Sequence, residues 1–260
     1  MRYKVLCGYI RQRWDCGDTV EIEEKHTGKY GARGQIREKK RKATPEEIKK
    51  HNQWKRERDV RRLIKWNFRE RDYWITLTYP KGYRPTWEEM KNHAGKLVRK
   101  MREKYKKQGW TLKYIYRLAI GSRGGRHIHI LINRESNEKT ATDLIITDLW
   151  EQQWGHGHVN FRTTYSEGGY KRLAEYLTKP LEEWEPDEVK RYHPSRNLIR
   201  KDPEVDEIKR RSLVDRDGKP RMPKAPKGYY VDPESIEVGI NPITHYAYRH
   251  YTLIKIKKRE

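Results

Sequence analysis

His127-Ile128-His129, and Tyr176 with Lys179 three residues further on, are the side chains here best suited to chemistry on a phosphate. Two histidines one residue apart leave the same face of an extended chain, about 6 to 7 Å apart, where neutral imidazoles can share one divalent ion. Gly121-Ser122-Arg123-Gly124-Gly125-Arg126 runs into the first histidine and offers backbone N–H groups and two guanidiniums, a set that suits a phosphate. A phenol titrates near 10, so Tyr176 as a nucleophile needs help, which Lys179 supplies by stabilising a phenolate or the charge growing on phosphorus. Each feature alone has an ordinary reading. The histidines are then the polar outer face of a half-buried strand, and Tyr176 is a core-edge ring with its hydroxyl in water.

The elements that must position these groups follow from periodicity. Trp74-Ile75-Thr76-Leu77-Thr78-Tyr79 is a β-branched and aromatic run stopped by Pro80, which predicts a strand. Trp87, Met90, Ala94, Leu97, Val98, Met101 and Tyr105 recur at steps of three and four, one face of a helix from Thr86 to Lys107. Residues 110–120 and 127–133 read as two strands joined through the glycine-rich turn, 142–154 as a helix, 158–162 as a strand, and 169–178 as a helix ended by Pro180. The order strand, helix, strand, strand, helix, strand predicts an α+β fold of ferredoxin-like (split βαβ) type. Its antiparallel sheet carries helices on one face and the histidine pair on a central strand. Thr44-Pro45-Glu46-Glu47 reads as the capped start of a further helix that runs to Asn67.

Around this core, residues 1–70 form a basic, partly helical extension, and residues 201–260 an extended segment with C-terminal strands that either add to the core sheet or form their own hairpin. The stretch from Pro180 to Lys227 has no sustained period and reads as a surface segment. Arg37 to Lys42 is a solvated charge run or a nucleic-acid contact.

Lys and Arg number 60 against 37 Asp and Glu, a net charge of +23 that calls for a polyanionic partner. Eighteen Tyr and nine Trp against two Phe supply rings with a polar handle, suited to stacking on bases. No apolar run approaches the roughly 18 residues of a membrane span, and the N-terminus has no apolar signal core, so the expected location is cytoplasmic. Cys7 and Cys16, with eight residues between them, match no common zinc pattern even with His26, and reduced thiols are the preferred reading.

Ile75-Thr76-Leu77-Thr78-Tyr79, then His127-Ile128-His129-Ile130-Leu131, then Glu175-Tyr176-Leu177-Thr178-Lys179-Pro180 resemble, in order, the three motifs of HUH-endonuclease replication initiators. The resemblance is greatest to the replication-associated proteins of plasmids, prophages and filamentous phages. It covers roughly residues 40 to 200, and Ser195-Arg196-Asn197-Leu198 after Tyr192-His193 is similar to a further stretch of them. It implies rolling-circle initiation by nicking single-stranded DNA, with Tyr176 as nucleophile, Lys179 as its basic partner, and His127 and His129 as ligands of Mg2+ or Mn2+. The implied partners are single-stranded DNA of a replication origin, free or as a hairpin, and host replication proteins, with no membrane. Arg172 stands where two-tyrosine relatives carry the second tyrosine, so a single-tyrosine enzyme is expected, finishing its cycle with a second protomer or water. With Arg123 and Arg126 it is assigned to DNA binding.

Relatives usually carry a third polar ligand, often acidic, on the preceding strand, where this chain has Tyr116-Arg117-Leu118-Ala119-Ile120. Ala119 in that place removes a ligand, and His158, Asn160 or water would have to compensate. Two other readings stay open, a single-tyrosine HUH transposase and a non-catalytic module that binds single-stranded nucleic acid.

Overall fold

Thr44 and Thr86 start the two long helices of this chain as their sequences demand. The Thr86 hydroxyl accepts from the Glu89 N–H, and the Glu89 carboxylate accepts from the Thr86 N–H at 2.7 Å, a complete capping box. Thr44 and Glu47 repeat the arrangement. In the computed structural model, which describes residues 8–29, 41–165, 167–186 and 190–256, the chain divides into two units, residues 53–199 and residues 1–52 with 200–260. Cys7 and residues 37–40 of the basic run lie outside the described residues.

In chain order the main elements are β1 (Tyr9–Asp15), β2 (Thr19–His26), α1 (Pro45–Asn67), β3 (Tyr73–Thr78), α2 (Trp87–Lys107), β4 (Tyr114–Ile120), β5 (Arg126–Ile132), α3 (Thr142–Thr147), β6 (Val159–Thr163), α4 (Lys171–Thr178), β7 (His193–Pro194), β8 (Glu204–Ile208), β9 (Tyr229–Val231), β10 (Glu237–Ile240) and β11 (Ala247–Lys255). The expected α+β class is what the structure shows.

The unit of residues 53–199 is built on an antiparallel sheet of order β6-β3-β5-β4-β7, with the histidine strand β5 in the middle. Alternation sorts its side chains onto two faces. Ile75, Leu77, Tyr116, Leu118, Ile128 and Ile130 pack with Met90, Leu97 and Met101 of α2 and Ile145 and Ile146 of α3. Ile115 and Leu131 pack on the other side, against Val60, Leu63 and Ile64 of α1 and Ala174 and Leu177 of α4. Helices therefore cover both faces, which corrects the expectation of helices on one face. The physical reason lies in β4, Tyr-Ile-Tyr-Arg-Leu-Ala-Ile, whose first six residues are buried: a strand buried on both sides needs a layer on each.

Two further segments differ from their sequence readings. The helix expected over 142–154 is α-helical only through Thr147 and continues as a π-helical stretch, Asp148–Gln153, from which the buried Trp150 indole donates to the Thr78 carbonyl at 3.0 Å. Residues 193–198, read as part of a surface segment, pack on the sheet instead. Ser195 exchanges hydrogen bonds with Tyr114, the Asn197 amide donates to the Leu112 carbonyl, and Leu198 is buried beside α1 residues.

The second unit joins both ends of the chain in one sheet of order β10-β11-β2-β1-β8, with β9 also on β11. Of the strands expected near the C-terminus, β11 pairs with β2 and β9 with β11, and β8 pairs with β1, rather than with the strands of the first unit. The Glu24 carboxylate, fully buried, takes Arg11 at 2.7 Å and Arg249 at 2.5 Å. Among the described residues no helix is long and apolar enough to cross a membrane.

Candidate active site

Because Ile128 and Ile130 point to the α2 side, His127 and His129 emerge on the side of α4, the helix that carries Tyr176. Strand register places Thr76 and Arg117 on either side of His129, and Thr78 and Ala119 on either side of His127. The two imidazoles stand nearly perpendicular with centroids 4.6 Å apart. Trp74 stacks parallel to His129 at 5.3 Å, and the Tyr176 ring meets both edge-on, 4.8 Å from His129 and 5.6 Å from Trp74. The Tyr176 hydroxyl is hydrogen-bonded to His129 Nε2, and Thr76 Oγ1 lies 3.1 Å from His129 Nδ1. With the proton on Nδ1 the imidazole donates to Thr76 and accepts from the phenol; the other tautomer reverses both bonds.

Burial sets the charge states. It lowers the pKa of His129 to about 3, with the neighbouring His127 and Arg117 adding to the effect. Burial also lowers His127, against the smaller opposing pulls of the Gly125 backbone and the Glu185 carboxylate. Both rings are therefore neutral near pH 7. The Tyr176 phenol is pushed above its ordinary value of 10, first by burial, while the Arg117 guanidinium opposes the rise and Glu185 reinforces it.

Arg117 is the functional side chain that sequence reasoning passed over. It is 3% exposed, on β4 directly across from His129. Its guanidinium donates to the carbonyls of Lys179 at 2.6 Å, Tyr176 at 3.3 Å and Leu177 at 3.4 Å, which closes the C-terminal end of α4. Arg191 and Gln53 both donate to the Thr178 carbonyl at 3.1 Å. The last turn of α4 holds no basic residue, so cations from elsewhere satisfy its carbonyls. Arg117 is balanced by Glu185, itself buried, which also accepts from the Ile120 and Glu182 N–H groups. A lone arginine in an otherwise apolar strand was the available signal, since such a charge needs a buried partner.

The other expected residues divide. Arg123 and Arg126 line a cavity of about 410 Å³ together with Thr76, Thr78, His127 and His129. Arg172 is exposed on α4 and is not among the residues lining that cavity. Lys179, expected beside the phenol, has its ammonium paired with Glu182 at the exposed end of α4, while the charge of the Arg117 guanidinium draws the Tyr176 pKa down.

A divalent ion would fall to His127 and His129. The donor set fits an open site of two neutral imidazoles on one face with threonine hydroxyls alongside, provided that the Tyr176 hydroxyl releases His129 Nε2. No group of three His, Cys, Asp or Glu able to hold a metal occurs among the described residues. Ala119 sits directly across from His127, and the exposed His158 ring lies 3.8 Å from Glu151. The Cys16 side chain is buried, and its sulfur lies 3.7 Å from the Trp14 carbonyl oxygen.

The site thus combines a histidine pair on a central strand with a tyrosine on a helix packed over it. A family model of replication-associated proteins, the ORF2 type, matches residues 72–181, less than half of the 260-residue chain but including all three groups. No curated protein matches the chain, and no solved structure does. The family match supports a role in replication.

Proposed function

We propose that the unit of residues 53–199 is an HUH-type nickase and strand transferase that starts rolling-circle replication. The observation that carries this reading is the hydrogen bond from Tyr176 to a histidine of the neutral His127/His129 pair, beside a cationic cavity. In the step proposed, the Tyr176 phenolic oxygen attacks a backbone phosphorus of single-stranded DNA, the bond from phosphorus to the 3′-oxygen breaks, and a 5′-phosphotyrosine forms. The proton that the phenol gives up is balanced by the one the 3′-oxygen takes, so the freed end is a 3′-hydroxyl ready for a polymerase. Reversal with a new 3′-hydroxyl rejoins the strand.

Thr76 holds the orientation of His129, Trp74 holds its ring plane, and Arg117 and Glu185 anchor the end of α4 so that the phenol faces the histidines. Mg2+ or Mn2+ held by His127 and His129 would polarise the scissile phosphate, and taking it up would require the Tyr176 hydroxyl to give up its hydrogen bond to His129 Nε2. Arg123 and Arg126 add positive charge where the phosphates lie. The match to replication-associated proteins favours replication over transposition. One observation favours a second reading, a module that binds single-stranded DNA without cutting it: Ala119 leaves the pair without an acidic third ligand.

End-labelled single-stranded DNA carrying the replicon's own origin, incubated with the protein and Mn2+, is expected to be cut at one position. Tyr176→Phe is expected to bind the same DNA and leave it whole. Intact DNA with the wild-type protein would support the binding module instead.

A further inference from the structure

The cavity beside the histidines has a second wall that the nicking chemistry does not use. It comes from the loop between β3 and α2, residues Tyr79 to Arg84. The two loops meet through a glycine and a guanidinium. Arg126 donates to the Pro85 carbonyl at 3.4 Å and to the Gly124 carbonyl at 2.5 Å, which ties the β4–β5 turn to the β3–α2 loop. Gly124, at φ +75°, leaves its outer side bare, and the Arg84 guanidinium lies there, within 3.3 Å of where a Cβ would stand. Two guanidiniums thus converge on one turn, with Arg123 beside them.

No carboxylate lines the cavity, and among the described residues none of these three arginines has an ion pair. Unneutralised guanidiniums collected around a concave surface are arranged for an anion with several oxygens, as a phosphodiester presents. The aromatic side is equally ordered. Tyr79 is fixed by its hydrogen bond with His93 at 3.1 Å and by Trp150, its ring 5.3 Å away. Tyr83, 45% exposed, stands edge-on to Tyr79 at 5.8 Å and keeps nearly half of its surface open to a planar partner.

We infer that this cavity is a nucleotide subsite in which Tyr83 stacks on the base, and Arg84 and Arg126 hold the phosphate, of a nucleotide next to the one being cut. The volume, about 410 Å³, lies within the roughly 300 to 1,000 Å³ of small-ligand sites. Its closeness to His127 and His129 makes the bound nucleotide a neighbour of the reacting phosphate. This assignment rests on the nickase reading for its meaning, but it concerns binding alone and can fail or stand independently of cleavage.

The test is fluorescence anisotropy of the full chain with a labelled oligothymidylate about twenty nucleotides long in EDTA, where no metal-dependent step runs. Tyr83→Ala is expected to weaken binding about ten-fold, and Tyr83→Phe to bind as wild type, since the ring is kept. An abasic oligonucleotide of equal length is expected to lose little with Tyr83→Ala. Arg84→Ala is expected to reduce the slope of log affinity against log salt by about 0.7, one neutralised phosphate on a single strand. Unchanged affinity with Tyr83→Ala, equal loss with Tyr83→Phe, or an unchanged salt slope with Arg84→Ala would overturn the subsite. Both substituted side chains are exposed, and an unchanged melting temperature shows that folding is intact. If DNA is never cut yet these differences appear, the nickase reading fails while the subsite stands.

Discussion

Tyr176 gains a neutral hydrogen-bond partner from the burial that raises its own pKa, because that same burial holds His127 and His129 unprotonated. Arg117 and Lys179 make the clearest contrast among single residues. Arg117 and Glu185 are a buried pair, so Arg117→Met strands a carboxylate and is expected to cost about 3 to 5 kcal/mol. Adding Glu185→Leu should recover much of that loss. Lys179→Ala breaks only an exposed pair and should change stability by less than about 1 kcal/mol. Urea unfolding of the variants measures all of this, and equal costs at Arg117 and Lys179 would contradict the placement of the supporting charge. The histidines and Tyr176 were legible in the sequence because period-two alternation and three ordered motifs single them out. Arg117 was not, because its role depends on which carbonyls end up beside it, and those come from a segment about sixty residues later.

At the scale of elements, the strands and helices of residues 73–178 were readable from periodicity, and the helix start at Thr44 from capping chemistry. The second layer was less readable. Ile115 and Leu131 are apolar on the histidine face, a sign that helices cover that face too, but α4 has only eight residues and α1 is dominated by charge. The packing of 193–198 depends on backbone hydrogen bonds to β4 that no side-chain pattern announces.

Buried His129 and half-buried His156 give the elements around β5 and β6 a pH dependence with a definite sign. His129 is lowered to about 3 and His156 to about 4 from an ordinary 6.5, chiefly by burial, so the unfolded chain takes up protons that the folded one refuses. Their contribution is complete above about pH 6.5 and is lost as pH falls below it, until the folded groups themselves protonate. His129→Gln should flatten the fall in unfolding free energy between pH 6 and 4 by about 1.4 kcal/mol per pH unit, one proton's worth, measured by urea titration at each pH. A slope unchanged by the substitution would contradict a neutral His129.

At the scale of the whole molecule, the net charge of +23 and the wealth of Tyr and Trp announced a nucleic-acid partner without locating it. Basic residues are densest in the N-terminal stretch, yet the cationic cavity is made by two short loops of the central unit. The sheet that joins β1 and β2 to β11 is long-range: Glu24 meets Arg249 across more than two hundred residues, and sequence pattern is silent on such pairing. The central claim is covalent chemistry at one phenol, and mass spectrometry tests it most directly. The full chain is incubated with origin single-stranded DNA and Mn2+, then digested with nuclease and protease, and the peptides are searched for a nucleotide adduct. The account predicts a 5′-phosphotyrosine on the peptide that contains Tyr176, absent without metal; an adduct on another residue, or none while the DNA is bound, would contradict it.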